Sequence, residues 1–123
     1  MIDEKLVHKV IGEAIQVHRA LGPGLLENVY KECLFHTLVN EGISVRKEVA
    51  IPVIYQGVKL DCGYRADLLI EGKLIIEIKS VEVLGDIHLA QVLTYLKLGG
   101  FKLGLLINFN TVVLKNGIKR VVN

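Results

Sequence analysis

The spacing of apolar residues divides the chain into two helical stretches, a run of strands, a third helix and a final strand region. Val7, Val10, Ile11, Ala14, Ile15 and His18 recur at steps of three and four, the period of one helix face. Asp3 stands where a cap belongs, so a helix is predicted from there to about Leu21. Gly22-Pro23-Gly24 ends it, because proline cannot continue a helix and glycine supplies the turn. The same proline can open a second helix, where its missing N–H costs nothing. That helix is predicted over Pro23 to Asn40, with Leu26, Val29, Tyr30, Cys33, Leu34 and Leu38 facing inward and Asn40-Glu41-Gly42 as its stop.

From Ile43 the period drops to two. Val45, Lys47, Val49 and Ile51 alternate with Ser44, Arg46, Glu48 and Ala50, a strand pattern. Pro52 marks an edge or a bulge, and Gln56-Gly57 a hairpin turn. A second strand is predicted over Val58 to Ile70, broken near Gly63. Glu71-Gly72 turns the chain into a third strand, Lys73 to Val81. Leu84-Gly85-Asp86 opens a helix, with Asp86 as its cap, that runs to Gly99-Gly100. Leu103 to Phe109 is almost wholly apolar, the mark of a strand covered on both faces. A right-handed crossover from the third strand would reach it. Asn116-Gly117 centres a small tail hairpin over Val112 to Val122. The expected fold is α/β, a mixed β-sheet flanked by helices, in one domain over residues 1–123.

With 123 residues the chain can bury a core without disulfides or a structural metal. It is 51% hydrophobic and 23% charged with two prolines, the composition of a compact protein and not a disordered one. A net charge of +2 is too small for a surface that coats nucleic acid or membrane, so any nucleic-acid site would be local. Cys33 and Cys62 show no CxxC spacing and fit a reducing compartment. The N-terminus has no basic segment leading into an apolar run, and no window approaches eighteen apolar residues. No signal peptide, no membrane contact and a cytoplasmic location are therefore expected.

Three charged residues interrupt the most apolar hairpin. Asp67 lies five residues before Gly72 and Glu77 five after it, so a turn centred there sets the two carboxylates opposite each other, on one face and about 5 Å apart. Glu77 and Lys79, two apart, share that face. Carboxylates this close repel unless something neutralises them. A divalent cation such as Mg²⁺ or Mn²⁺ takes oxygen ligands of this kind, and the Ile78 backbone carbonyl could add another. Lys79 would then face a water and a phosphate under attack. A cross-strand ion pair of Lys79 with Asp67 or Glu77 on a solvated face is the other reading of the same residues.

An Asp in one strand and Glu-x-Lys in the next resembles the PD-(D/E)xK nuclease superfamily, whose core of a helix, three strands, a helix and a strand follows the order seen here. Gln91-Val92-Leu93-Thr94-Tyr95 resembles the QxxxY motif of its RecB-like branch. Gly24-Leu25-Leu26-Glu27-Asn28-Val29-Tyr30 is similar to the signature of the GxxExxY family within it. Val17 to Gly24, Tyr64-Arg65-Ala66-Asp67, Glu77-Ile78-Lys79 and Leu106-Ile107-Asn108-Phe109 resemble that family too, so the likeness spans nearly the whole chain. It implies a restriction-endonuclease-like core with an extra N-terminal helix and a C-terminal hairpin. It further implies Asp67, Glu77 and Glu27 as metal ligands, Lys79 as the residue serving the water, and Gln91 and Tyr95, on one helix face, as contacts to the site or a phosphate. Ala66 replaces the usual proline before the motif Asp.

Each helical residue also has a plain structural role open to it. Glu27 suits a helix dipole, Gln91 and Tyr95 a hydrogen-bonded pair at the core edge, and His18 a helix end packing on the Gly-Pro-Gly turn. His88, three before Gln91, shares its face. The expected function is a divalent-metal-dependent nuclease acting on nucleic acid, DNA ahead of RNA, with a homodimer as a way to enlarge its surface. The alternative is a catalytically silent nucleic-acid- or protein-binding module that keeps the fold.

Overall fold

The computed structural model describes residues 2–123. Helix α1 (Glu4–Leu21) starts where the Asp3 carboxylate accepts the Leu6 N–H at 3.1 Å. Helix α2 (Glu27–Asn40) follows, then strands β1 (Val45–Ala50), β2 (Val53–Tyr55), β3 (Val58–Leu60), β4 (Arg65–Ile70) and β5 (Leu74–Lys79). Helix α3 (Asp86–Gly99) leads to β6 (Leu103–Asn108), and a 3-10 turn (Leu114–Gly117) to β7 (Ile118–Val122). The main sheet runs β1-β4-β5-β6-β7, and β2 and β3 form a ribbon of their own. Only the β5–β6 pair is parallel, and α3 is the crossover it requires.

The alternation of side chains divides the core in two. Leu68, Ile70, Ile76, Ile78, Leu105 and Ile107 pack against α1 and α2, while Leu69, Ile75 and Leu106 pack against Val92, Tyr95 and Leu96 of α3. Both faces of β4, β5 and β6 are thus covered, which is why these strands read as apolar runs instead of alternating ones. The expected mixed sheet flanked by helices is the one observed, and it agrees with a PD-(D/E)xK-like core. No helix among the described residues is long and apolar enough to cross a membrane.

The structure differs from expectation where local turns override helix or hairpin signals. Helix α2 begins at Glu27 and not at Pro23, because Gly22 and Gly24 on either side of the proline sit at φ +73° and +94°, outside helical space. The buried Tyr30 ties this loop: its hydroxyl donates to the Gly22 carbonyl at 2.6 Å and accepts the Leu25 N–H at 3.1 Å. Leu26 is left outside the core and Val29 at its margin, and Tyr30, Leu34 and Leu38 form the inner stripe. On α1, Val17 fills the core face while Ile11 and Ile15 are half-buried.

The break predicted near Gly63 is present and divides the second strand into β3 and β4. Asp61 accepts the Gly63 N–H at 3.0 Å, and this side-chain turn separates β3 from β4. Gly85 and not Asp86 is the N-cap of α3, with His88 Nδ1 accepting the Gly85 N–H at 2.9 Å. The tail is not a hairpin about Asn116-Gly117. Those residues belong to the 3-10 turn, and β7 pairs along the length of β6 instead, which leaves β6 paired on both sides.

Gly104, in the middle of β6, lets α3 sit close to the sheet. A Cβ there would lie 2.9 Å from Val92 Cγ1 and 3.4 Å from Leu96 Cδ2. Gly104→Ala is expected to overpack this seam at a cost of about 1–3 kcal/mol. Urea unfolding would read it as a lower midpoint with an unchanged slope; an unchanged midpoint means that α3 has room to spare.

Candidate active site

The β4–β5 hairpin turns tightly through Glu71 and Gly72, at φ +54° and +68°, with the Lys73 N–H donating to the Ile70 carbonyl at 3.0 Å. Two successive left-handed residues suit the twist of a hairpin. The register pairs Ile70 with Leu74, Leu69 with Ile75 and Leu68 with Ile76. One step further sets Asp67 opposite Glu77, and there the ladder gives way. The Asp67 N–H donates to Glu77 Oε1 at 2.9 Å, and the Ile78 N–H donates to Asp67 Oδ2 at 2.8 Å. Each carboxylate thus fills a gap in the backbone pairing that the other strand has left. On the opposite edge of β4, the pairing with β1 passes from Lys47–Leu68 to Val49–Ala66, skipping Glu48, whose φ is +57°. Asp67 sits where β4 is released on both sides.

Glu77 is only 4% exposed and Asp67 is half-buried. Burial, followed by the negative charge of Asp67, pushes the Glu77 carboxyl up to about 8. Burial also raises Asp67, opposed by the Ile78 N–H and by the positive charges of Lys31 and Lys79. The solvated ion pair offered as the other reading of Lys79 is not seen: the ion pairs of the described residues involve neither Asp67 nor Glu77. The one closest in character is Lys31–Glu48, at 2.6 Å. Lys31 is buried, and Glu48 holds its ammonium charged.

The remaining predicted residues arrive from both helices. Glu27, the first residue of α2, is exposed and accepts the Ser80 N–H at 3.3 Å. Ser80 follows β5, and its hydroxyl donates to the Leu25 carbonyl at 2.6 Å, so the loop ahead of α2 is clipped to the strand that carries Glu77 and Lys79. The charge of Glu27 reaches both Asp67 and Glu77, raising each. On the other side, Lys79, His88, Gln91 and Tyr95 line one groove of about 680 Å³ with Tyr64. Burial and then the Glu77 charge raise the Tyr95 hydroxyl. His88 thus meets the groove wall while capping α3. His18 lies at the end of α1, where its carbonyl accepts the Gly22 N–H at 2.7 Å, with Nε2 2.7 Å from the Thr111 carbonyl oxygen and its ring beside Phe109.

Sequence reasoning passed over Lys31, Glu48 and Tyr64. A signal for Lys31 was available: it stands four residues after Glu27 and therefore on the same helix face. Nothing in the sequence marks Glu48 for a left-handed backbone, or Tyr64 for the groove.

The donor set can be compared with a cation. Among the described residues no group of three or more His, Cys, Asp or Glu is placed to hold a metal; the acids form the Asp67–Glu77 pair, with Glu27 at the strand end. Each of the paired carboxylates spends one oxygen on a backbone N–H and keeps the other. The N–H and C=O of a strand residue point the same way, so the Ile78 carbonyl also faces the gap beside Asp67. Hard oxygen donors of this kind fit Mg²⁺ or Mn²⁺ completed by water.

Residues 4–121 match the sequence profile of the PD-(D/E)XK nuclease superfamily, and the chain belongs to that superfamily. No curated protein and no solved structure gives a significant match. The class is one of nucleases, which act on nucleic acid and generally use divalent metals.

The raised Glu77 gives a signed pH dependence. Between about 4.5 and about 8 the folded chain binds more protons at Glu77 than the unfolded chain does. Stability contributed by this group is complete below the lower value and is lost as pH rises through the upper one. In chelator, the wild type is expected to lose stability with rising pH at no more than about 1.4 kcal/mol per unit from this group. Glu77→Gln should flatten that slope and unfold later at pH 8. Parallel denaturation curves for the two proteins across this window would contradict the assignment.

Proposed function

We propose that the chain is a Mg²⁺- or Mn²⁺-dependent phosphodiesterase acting on nucleic acid, DNA ahead of RNA. The observation that carries this reading is the opposition of Asp67 and Glu77 at the end of the β4–β5 ladder. Two acids are desolvated there at a cost in stability, facing a carbonyl and a free edge, with Lys79 two residues on. In this reading Asp67, Glu77 and the Ile78 carbonyl hold the cation, and Glu27 joins directly or through water. A bound divalent cation would supply Lewis acidity toward a phosphate and lower the pKa of water.

The chain's own groups supply the rest. Lys79 donates to the attacking water and sets a positive charge against the phosphate oxygens, where charge develops. Gln91 and Tyr95, one turn apart on α3, offer an amide and a hydroxyl to the substrate from the groove wall. Lys31 offsets the acid pair from the α2 side. The likeness to the GxxExxY family and to the QxxxY motif supports the parts given to Glu27, Gln91 and Tyr95. The same reading includes a homodimer joined at the β7 edge, where Val122 lies exposed and one side of the strand is open to pairing. A monomeric mass by light scattering removes the dimer without touching the chemistry.

Lys79→Ala and Asp67→Asn should each lower cleavage of labelled DNA in Mn²⁺ by about a hundredfold or more, with circular dichroism unchanged. Matched DNA and RNA oligonucleotides decide the substrate. If the wild type takes up no Mn²⁺ by calorimetry and cuts neither polymer, the reading fails.

A further inference from the structure

We infer that the groove beside the acid pair receives an unpaired base, stacked on Tyr64, so that the substrate is single-stranded nucleic acid and not closed duplex. This rests on the nuclease reading of Asp67, Glu77 and Lys79, and goes further in naming what that site accepts. Tyr64 is 47% exposed, and its ring lies 6.0 Å from that of the buried Tyr95, tilted by 53°. Its backbone is anchored, since the Tyr64 carbonyl accepts the Ile51 N–H at 2.9 Å and the Arg65 guanidinium at 2.9 Å. The ring thus stands on an anchored backbone, about half open to solvent and tilted against a second tyrosine.

The groove between it and α3, about 680 Å³, is in the range of sites that take small organic groups. Val53 and Ile87 make much of its wall apolar, and Lys79 is the only lysine or arginine among the described residues lining it. That balance separates the two substrate forms. A duplex presents its phosphates and keeps its bases stacked, and holding it takes several Lys or Arg contacts. An unpaired strand presents base faces, which stack on aromatic rings with little regard to sequence. Val53 belongs to the β2–β3 ribbon, whose Ile54, Tyr55 and Val58 are exposed.

The groove adjoins the acids through Lys79, which lines it two residues after Glu77 on the same strand. Tyr95, in the same groove, feels the charge of Glu77 and Asp67. A base held at Tyr64 would leave its own phosphate near Lys79. No duplex need enter the groove for this to happen.

The test is fluorescence anisotropy of the intact chain in Ca²⁺ with a labelled single strand and with the blunt duplex formed from it. The single strand should bind about tenfold more tightly or better, and Tyr64→Ala should weaken it by about tenfold or more. Tyr64→Phe, which keeps the ring, should stay within about twofold of wild type. A fluorescent base analogue in the strand should be quenched by wild type and not by Tyr64→Ala. Equal or tighter duplex binding, indifference to Tyr64→Ala, or no binding of either probe overturns the inference. The same probes with Mn²⁺ separate the two ideas. Duplex cleaved as well by Tyr64→Ala as by wild type overturns the single-strand inference and leaves the nuclease reading standing. Single-strand preference without any cleavage does the reverse.

Discussion

The rest of the molecule is arranged around one exchange of hydrogen bonds. Where β4 and β5 cease to pair, Glu77 takes the N–H of Asp67 and Asp67 takes the N–H of Ile78. A buried unpaired N–H is expensive, and so is a buried carboxylate. Each of these groups relieves the other, which fixes two acids face to face without a cation in contact. The relief is incomplete, since burial still pushes both acids toward the protonated form. The surrounding sheet must supply the stability to hold them. It does so by covering β5 on both faces and pairing it along its length with β6.

That arrangement needs its surroundings stitched down, and the stitches are polar and local. Tyr30 stacks on Phe109 with ring centroids 4.4 Å apart and holds the Gly22–Leu25 loop. Ser80 then clips this loop, and with it Glu27, to the end of β5. The buried Asn108 performs the matching task at the end of β6: its side chain accepts the Val81 and Asn110 N–H groups and donates to the Val81 carbonyl. The carboxyl ends of the two parallel strands are thereby held in register beside the acids. In open α/β sheets this is the side on which ligands are usually met.

What could be read from the sequence followed from regular periods. Equal spacing of five residues about the Gly72 turn was enough to set Asp67 opposite Glu77, and the register agrees. Steps of three and four placed α1, and the Gly85-Asp86 and Gly99-Gly100 signals placed α3, each to within a residue or two. The failures came where one side chain captured the backbone. Tyr30 delays α2 to Glu27, and β6 takes the tail strand that Asn116-Gly117 predicts as half of a hairpin. Tyr30 reaches back only to Leu25 and Gly22, but a bond made by a single side chain leaves no mark on a periodic pattern, and the β6–β7 pairing joins strands on either side of the 3-10 turn, which a local turn signal cannot show. The same limit hid Tyr64, whose neighbour in the groove, Tyr95, comes from α3, whereas Lys31 was within reach of the helical step from Glu27.

Electrostatics ties the acid pair to the groove. Asp67 and Glu77, once ionised, join Glu27 in setting negative charge against an approaching phosphate, and Lys31 is engaged with Glu48. On the proposed reading a cation must reverse the sign of this field before a polyanion can settle, since a bound divalent ion would be the largest local charge in the site. Substrate and metal then favour each other's binding by the same factor, as linkage requires. An apolar, aromatic wall suits that logic. It grips the part of the strand that carries no charge and leaves recognition of the phosphate to Lys79 and the cation. A wall of arginines would instead bind the backbone without the metal and pair with the acids when empty.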